Sequence, residues 1–251
     1  MMSERNDHQL EQMCAVTISR EYGSGGGEIA KRLATRLGWQ LIDHDIVWRV
    51  AREMNVSEGE SRALDEQTES LLVRILNAMQ GVDAPFMAAT SSLDSIAVSP
   101  RAYREALTKV VDAAAARGHV VIVGRASQVL LAARRDVLHA RVVASLETRV
   151  TYVMNREGLG REQAIERIQR KEHDRMHYLQ SEFKQHPDNA HLYDLVVNTD
   201  VLALNSIVSL LCDALRYKAA QLSTPADALG PGAGLPQYPG QPGDFPLPEP
   251  H

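Results

Sequence analysis

Aromatic side chains are scarce, at 5% of 251 residues, so a core built by this chain rests on aliphatic packing. Cysteine is scarcer still. The two thiols, Cys14 and Cys212, lie outside any C-x-x-C pair, which leaves zinc and thioredoxin chemistry without support and predicts buried free thiols in a reducing compartment. No apolar run approaches the ~18 residues of a membrane span. Residues 1–13 are polar and charged, without an apolar signal segment. The expectation is a soluble, cytoplasmic protein with no membrane partner. Positive charge is also in deficit: a net charge of −5 gives no global pull toward nucleic acid, while leaving room for a local basic site.

What remains is ordinary for a globular protein, with 44% hydrophobic and 24% charged residues. Eight of the eleven prolines and five of the sixteen glycines fall in residues 223–251. Such a segment cannot bury enough apolar surface to offset its ordering entropy. The reading is a flexible N-terminus (1–13), one domain (14–220) and a disordered Pro/Gly-rich tail (221–251). Within the domain, five short apolar runs recur: Cys14–Ser19, Trp39–Asp43, His119–Gly124, Leu138–Ala144 and Asp194–Asn198. They are branched and nearly continuous, as strands covered on both faces are. Between them the spacing is helical: Ile29, Leu33 and Leu37 recur every fourth residue, and Leu204, Ile207, Val208, Leu211 and Leu215 form one stripe. Strands alternating with helices predict an α/β fold with a five-stranded parallel sheet. Two helical excursions interrupt it, one over about 46–117 and one, rich in charge, within 146–187.

The most informative stretch follows the first strand: Ser19-Arg-Glu-Tyr-Gly-Ser-Gly-Gly-Gly27, leading straight into a helix. Four glycines in five residues let the backbone turn with positive φ and present successive N–H groups. With the helix N-terminus behind them, those donors form an anion site suited to phosphate. Two loop types compete. Gly23-x-Gly25 begins a dinucleotide fingerprint, and Asp43 lies at the spacing of its ribose-binding acid, but Glu28 stands at the third glycine. The P-loop pattern G-x-x-x-x-G-K-[ST] fits by length. It places Arg20 at the first glycine, Gly25 at the second, Gly26 at the lysine and Gly27 at the hydroxyl. Arg20 or Lys31 is then the candidate cation and Ser24 the candidate hydroxyl.

Further motifs carry a resemblance. Leu41-Ile-Asp-His-Asp-Ile-Val-Trp-Arg49 resembles the second-strand segment of bacterial cytidylate kinases, with Asp43, Trp48 and Arg49 in place and Asp45 where the family has glycine. Ser99-Pro-Arg101-Ala-Tyr-Arg104 is similar to their Pro-Arg segment. Val120-Val-Ile-Val-Gly124-Arg125 resembles the strand that ends in Gly-Arg-Asp, with Ala126 in place of the Asp. Arg170-x-x-x-Asp174-Arg175 resembles the arginine-rich lid. The S-R-E-Y-G-S-G-G loop and the V-G-R strand end resemble a divergent cytidylate kinase-like branch still more closely. The resemblance covers about residues 14–218.

It implies a three-layer P-loop kinase fold, with a nucleoside monophosphate-binding insertion near 46–117 and a lid near 155–187. It also implies ATP-dependent phosphorylation, with Mg2+, of CMP, dCMP or a related small acceptor. By position, Arg20, Gly23, Ser24, Gly25, Gly26, Gly27 and Lys31 hold the donor's phosphates. Arg49, Arg101 and Arg125 hold the acceptor's phosphate. Arg125, Arg170 and Arg175 stabilise charge in the transition state, and Asp43 orients magnesium water or an acceptor group. No residue is assigned as a direct metal ligand, and no oligomeric state follows. The missing lysine keeps a second reading open, a non-catalytic nucleotide-binding regulatory module. A kinase of another small metabolite is a third. His173-Asp-Arg-Met-His177 spaces two imidazoles one turn apart, as zinc proteases do. Without a general-base Glu or a third ligand, it reads as a helix surface.

Overall fold

A computed structural model describes residues 10–43 and 100–230. Of the excursion expected over about 46–117, residues 46–99, with Arg49 among them, lie outside the described residues, as do the Arg101 side chain and the tail from 231.

Five strands form one parallel sheet: β1 (Ala15–Arg20), β2 (Gln40–Ile42), β3 (Val120–Val123), β4 (Val137–Val143) and β5 (Leu195–Asn198), in the spatial order β2-β3-β1-β4-β5. The register sets Ala15 against Val120 and Val137. Strand residues alternate between faces. Val16 and Ile18 of β1 face one core and Ala15 the other.

Helices cover both faces, and the described residues hold six. On one side, α1 (Gly26–Leu37) and α6 (Leu204–Ala220) pack Ile29, Leu33, Ile207, Leu211 and Leu215 against Val16, Ile18, Leu138 and Val142. On the other, α2 (Pro100–Arg117) packs Leu107, Val110, Val111 and Ala114 against Ala15, Ile42 and Ile122. The short α3 (Ser127–Leu130) follows β3. The remaining pair, α4 (Leu146–Glu157) and α5 (Arg161–Phe183), has its own small core of Val150, Val153, Ala164 and Ile168, with Tyr22 against it. Beyond α6 the chain continues through a 3-10 turn at Ala226–Ala228, and Arg135 donates to the carbonyls of Gln221 and Thr224.

The strand order settles the competition left open by the loop. A dinucleotide fold sets its second strand beside the first, bringing the ribose acid next to the glycine turn. Here β3 lies between them, and Asp43 ends a strand two places away. The dinucleotide reading is therefore corrected.

Candidate phosphate-binding site

The chain leaves β1 at Arg20 and enters α1 at Gly26, so the turn is a five-residue arc. Gly23 is left-handed at φ 86°, and a Cβ there would stand 2.9 Å from the Arg149 carbonyl oxygen. Gly25 caps α1 with no side-chain acceptor. The first-turn N–H groups of Gly26, Gly27 and Glu28 have no acceptor inside the helix, and the helix dipole adds partial positive charge. A phosphate oxygen suits that position.

The arc is held from several sides. Ser24 Oγ donates to the Glu21 carbonyl at 2.9 Å and to the Val142 carbonyl at 3.2 Å. The Glu21 carboxylate accepts from Ala144 N at 2.9 Å and lies 3.5 Å from Arg149 Nε. Tyr22 N donates to Glu172 Oε1 on α5 at 2.6 Å, and Tyr22 Oη donates to Glu157 Oε1 at 2.5 Å. Thr199 Oγ1 donates to the Ser24 carbonyl at 3.0 Å. The turn is thus fixed to α4, α5, β4 and the residue that follows β5.

Around it stand several arginines. Arg175 donates to the Arg20 carbonyl at 3.2 Å, lies 5.3 Å over the Tyr22 ring and sits 3.6 Å from Glu172. Burial lowers its pKa. Glu172 and Tyr22 oppose that shift, while Arg125 and Arg141 add to it. Arg20 is more perturbed: burial first, then the charges of Arg175 and Arg125, pull it down to about 9 against Asp43 and Glu172. Cations that repel one another in a half-buried place are stabilised by an anionic ligand. Arg125 occupies a strained turn. Gly124, Arg125 and Ala126 are successively left-handed at φ 72°, 61° and 53°, a conformation costly for residues with a Cβ and concentrated at functional sites.

Of the residues expected at the site, the structure brings together Arg20, Asp43, Arg125, Arg175 and the 23–27 turn. It does not bring in Lys31 or Arg170. Lys31 is exposed on α1 in a groove with Glu28, Thr35 and Asn205. Arg170 is exposed on α5. The buried Ser24 hydroxyl spends its proton on the Glu21 and Val142 carbonyls. Gly27 has open space where a Cβ would stand. His173 and His177 stack with centroids 6.3 Å apart on an exposed face.

Sequence reading missed Arg141, Arg149, Tyr22 and Glu172. Arg141 is 6% exposed on β4, in register with Ser19, 3.4 Å from Ser19 Oγ, 2.6 Å from Asp188 and 5.7 Å from the Tyr193 ring centroid. A guanidinium inside a buried apolar strand was the available signal.

The fit to nucleotide chemistry is clear for phosphate and sparse for metal. The uncapped helix end and the arginines match phosphoryl oxygens. Among the described residues no cluster of three or more acids, imidazoles or thiols could hold a metal. Mg2+ here fits as an ion carried chiefly by phosphates and water, and Asp43 is a carboxylate at the strand ends. No helix among the described residues is long and apolar enough to cross a membrane.

A family model described as the cytidylate kinase-like family matches residues 15–201. No curated protein matches the chain. Among solved structures, an uncharacterized protein from Eubacterium ventriosum ATCC 27560 superimposes with a TM-score of 0.58 at 16% identity, over 80% of this chain and 98% of that one. This likeness shows the shared fold. A shikimate kinase from Bacteroides thetaiotaomicron (TM-score 0.43, 13% identity, 81% of this chain and 98% of that one) and TT1252 from Thermus thermophilus (0.42, 18%, 84% and 98%) are looser matches.

Proposed function

Because the chain belongs to the cytidylate kinase-like family, with a kinase-like nucleotide-binding fold, we propose that it transfers the terminal phosphoryl group of ATP to CMP, dCMP or a related small acceptor in the cytoplasm. The observation that carries this reading is the cluster of Arg20, Arg125 and Arg175, with the Arg20 stem packed against Gly26 at the uncapped start of α1.

Phosphoryl transfer asks a protein mainly for positioning and positive charge. The amides at the start of α1 hold the donor's phosphates. Arg125, displayed by its left-handed turn at the C-terminal end of β3, faces the junction between donor and acceptor. Arg49 and Arg101 are assigned to the acceptor's phosphate, within an insertion over about 46–117. Arg175 supplies charge from a lid over about 155–187, and Arg170 joins it when that lid closes. Asp43 orients water around Mg2+ or an acceptor group. The ion, when bound, would offset negative charge on the phosphoryl groups. Arg141, tied to Asp188, adds its positive charge to the cluster near Arg175.

The test is ATP consumption by the full chain with Mg2+ against each common nucleoside monophosphate. Turnover is expected with a cytidine acceptor, and Arg125→Ala is expected to cost about 100-fold or more in kcat/KM. No turnover with any acceptor from a cooperatively folded sample overturns the reading. One observation favours a second reading, a non-catalytic nucleotide sensor: the P-loop lysine and hydroxyl positions are both glycine. That reading expects thermal stabilisation by nucleotide without turnover.

A further inference from the structure

The usual phosphate loop, G-x-x-x-x-G-K-[ST], begins with a residue lacking a side chain and carries a lysine at its seventh position. This chain has Arg20 first and Gly26 seventh. A Cβ on Gly26 would stand 2.6 Å from the Arg20 Cβ and 3.1 Å from its Cγ. Positions 20 and 26 therefore share one space, and only one of them can carry a side chain. Beyond that point the Arg20 side chain runs on to Gly124, where a Cβ would collide with Nη1 and lie 3.4 Å from Cζ. The guanidinium thus crosses from the end of β1 to the end of β3, among the charges of Arg125, Arg175, Asp43 and Glu172. Lys31 stands elsewhere, in the α1 groove.

Resting on the nucleotide-binding reading, we infer that the loop is a reciprocal exchange of the standard pattern. Arg20 delivers from the end of β1 the charge that a lysine delivers from the start of α1, and Gly26 and Gly124 are the two residues that make room for it. The exchange changes the geometry as well as the source of charge. A planar guanidinium presents paired N–H groups, whereas an ammonium is a point charge. Two oxygens of one phosphoryl group are its natural partner. The ligand is therefore a nucleoside polyphosphate engaged at its terminal group, on the β3 side where the acceptor enters.

The exchange is tested by calorimetric affinity of the full chain for ATP with Mg2+ and for inorganic tripolyphosphate. Arg20→Met keeps the stem and removes the charge. It is expected to weaken both ligands by about tenfold or more. Gly26→Lys alone is expected to lose binding, because two stems then compete for one space. The paired exchange Arg20→Gly with Gly26→Lys is expected to recover affinity to within about threefold of the parent. Arg20→Met binding within about twofold of the parent overturns the inference, as does a paired exchange no tighter than Arg20→Gly. If the paired variant does not unfold cooperatively, Arg20→Met decides alone. Arg125→Ala separates the two claims: binding kept in Arg20→Met but lost in Arg125→Ala sinks the exchange and leaves the kinase reading. A parent protein that binds neither ligand sinks both.

Discussion

His139 shows how one residue's surroundings turn into a measurable property. It lies on β4, 6% exposed, with Nδ1 2.8 Å from Thr17 Oγ1 on β1. Burial lowers its pKa below the ordinary 6.5, against the opposing pull of Asp194. As pH falls, the unfolded imidazole takes up its proton first, near 6.5, and the folded one follows only at lower pH. The unfolded state binds more protons through that window, so stability falls as pH drops through 6.5 toward the folded value. The thermal midpoint is expected to be lower at about pH 5.5 than at about pH 7.5, with the slope reduced in His139→Gln. Equal slopes in the two proteins would count against the burial argument. At the same scale, Gly23 is a residue whose identity the backbone dictates. Gly23→Ala meets both a left-handed φ and the Arg149 carbonyl, and a loss of about 2 kcal/mol or more in unfolding free energy is expected from denaturant titration.

Two elements, α4 and α5, matter less for their own stability than for what they hold. Their shared core is small, and α5 is a charge-rich helix with few buried residues. What fixes α5 to the turn is the Glu172 carboxylate, which accepts from Tyr22 N and lies 3.7 Å from Arg149 and 3.6 Å from Arg175. A hydrogen bond to a charged group contributes about 1.5–3 kcal/mol. Removing it opens the contact locally without melting the sheet. Glu172→Ala is expected to speed amide hydrogen exchange at Tyr22 by about tenfold or more, while exchange in β1 and β4 stays as it was. Uniform acceleration across the sheet would show that α5 supports the whole fold.

At the scale of the molecule, the sheet brings residues far apart in sequence to one edge. Arg20 ends β1, Asp43 follows β2, Arg125 follows β3, and Arg175 arrives on α5. A polyphosphate that relieves this crowding binds the folded state alone. At a ligand concentration about 100 times Kd it adds about 2.7 kcal/mol, or roughly 5–10 °C in thermal midpoint for a chain of this size. That gain is expected to shrink as salt is raised, and an unchanged midpoint with ATP or tripolyphosphate would contradict it. The five strands were legible in the amino-acid order alone, because short branched runs admit little besides buried strands, and each expected run overlaps an observed one within a residue or two. So was the arc before α1, because four clustered glycines have little other use. The order of the strands was not legible, since a pattern of alternating strands and helices is the same for either fold and only packing across the sheet chooses. Nor was the choice between Arg20 and Lys31. Both lie near the turn in sequence, but one points across a strand end and the other into a groove on the helix surface, a matter of direction in space. Arg141 and Glu172 were hidden for the same reason: a charge acquires its role from what tertiary contact places beside it.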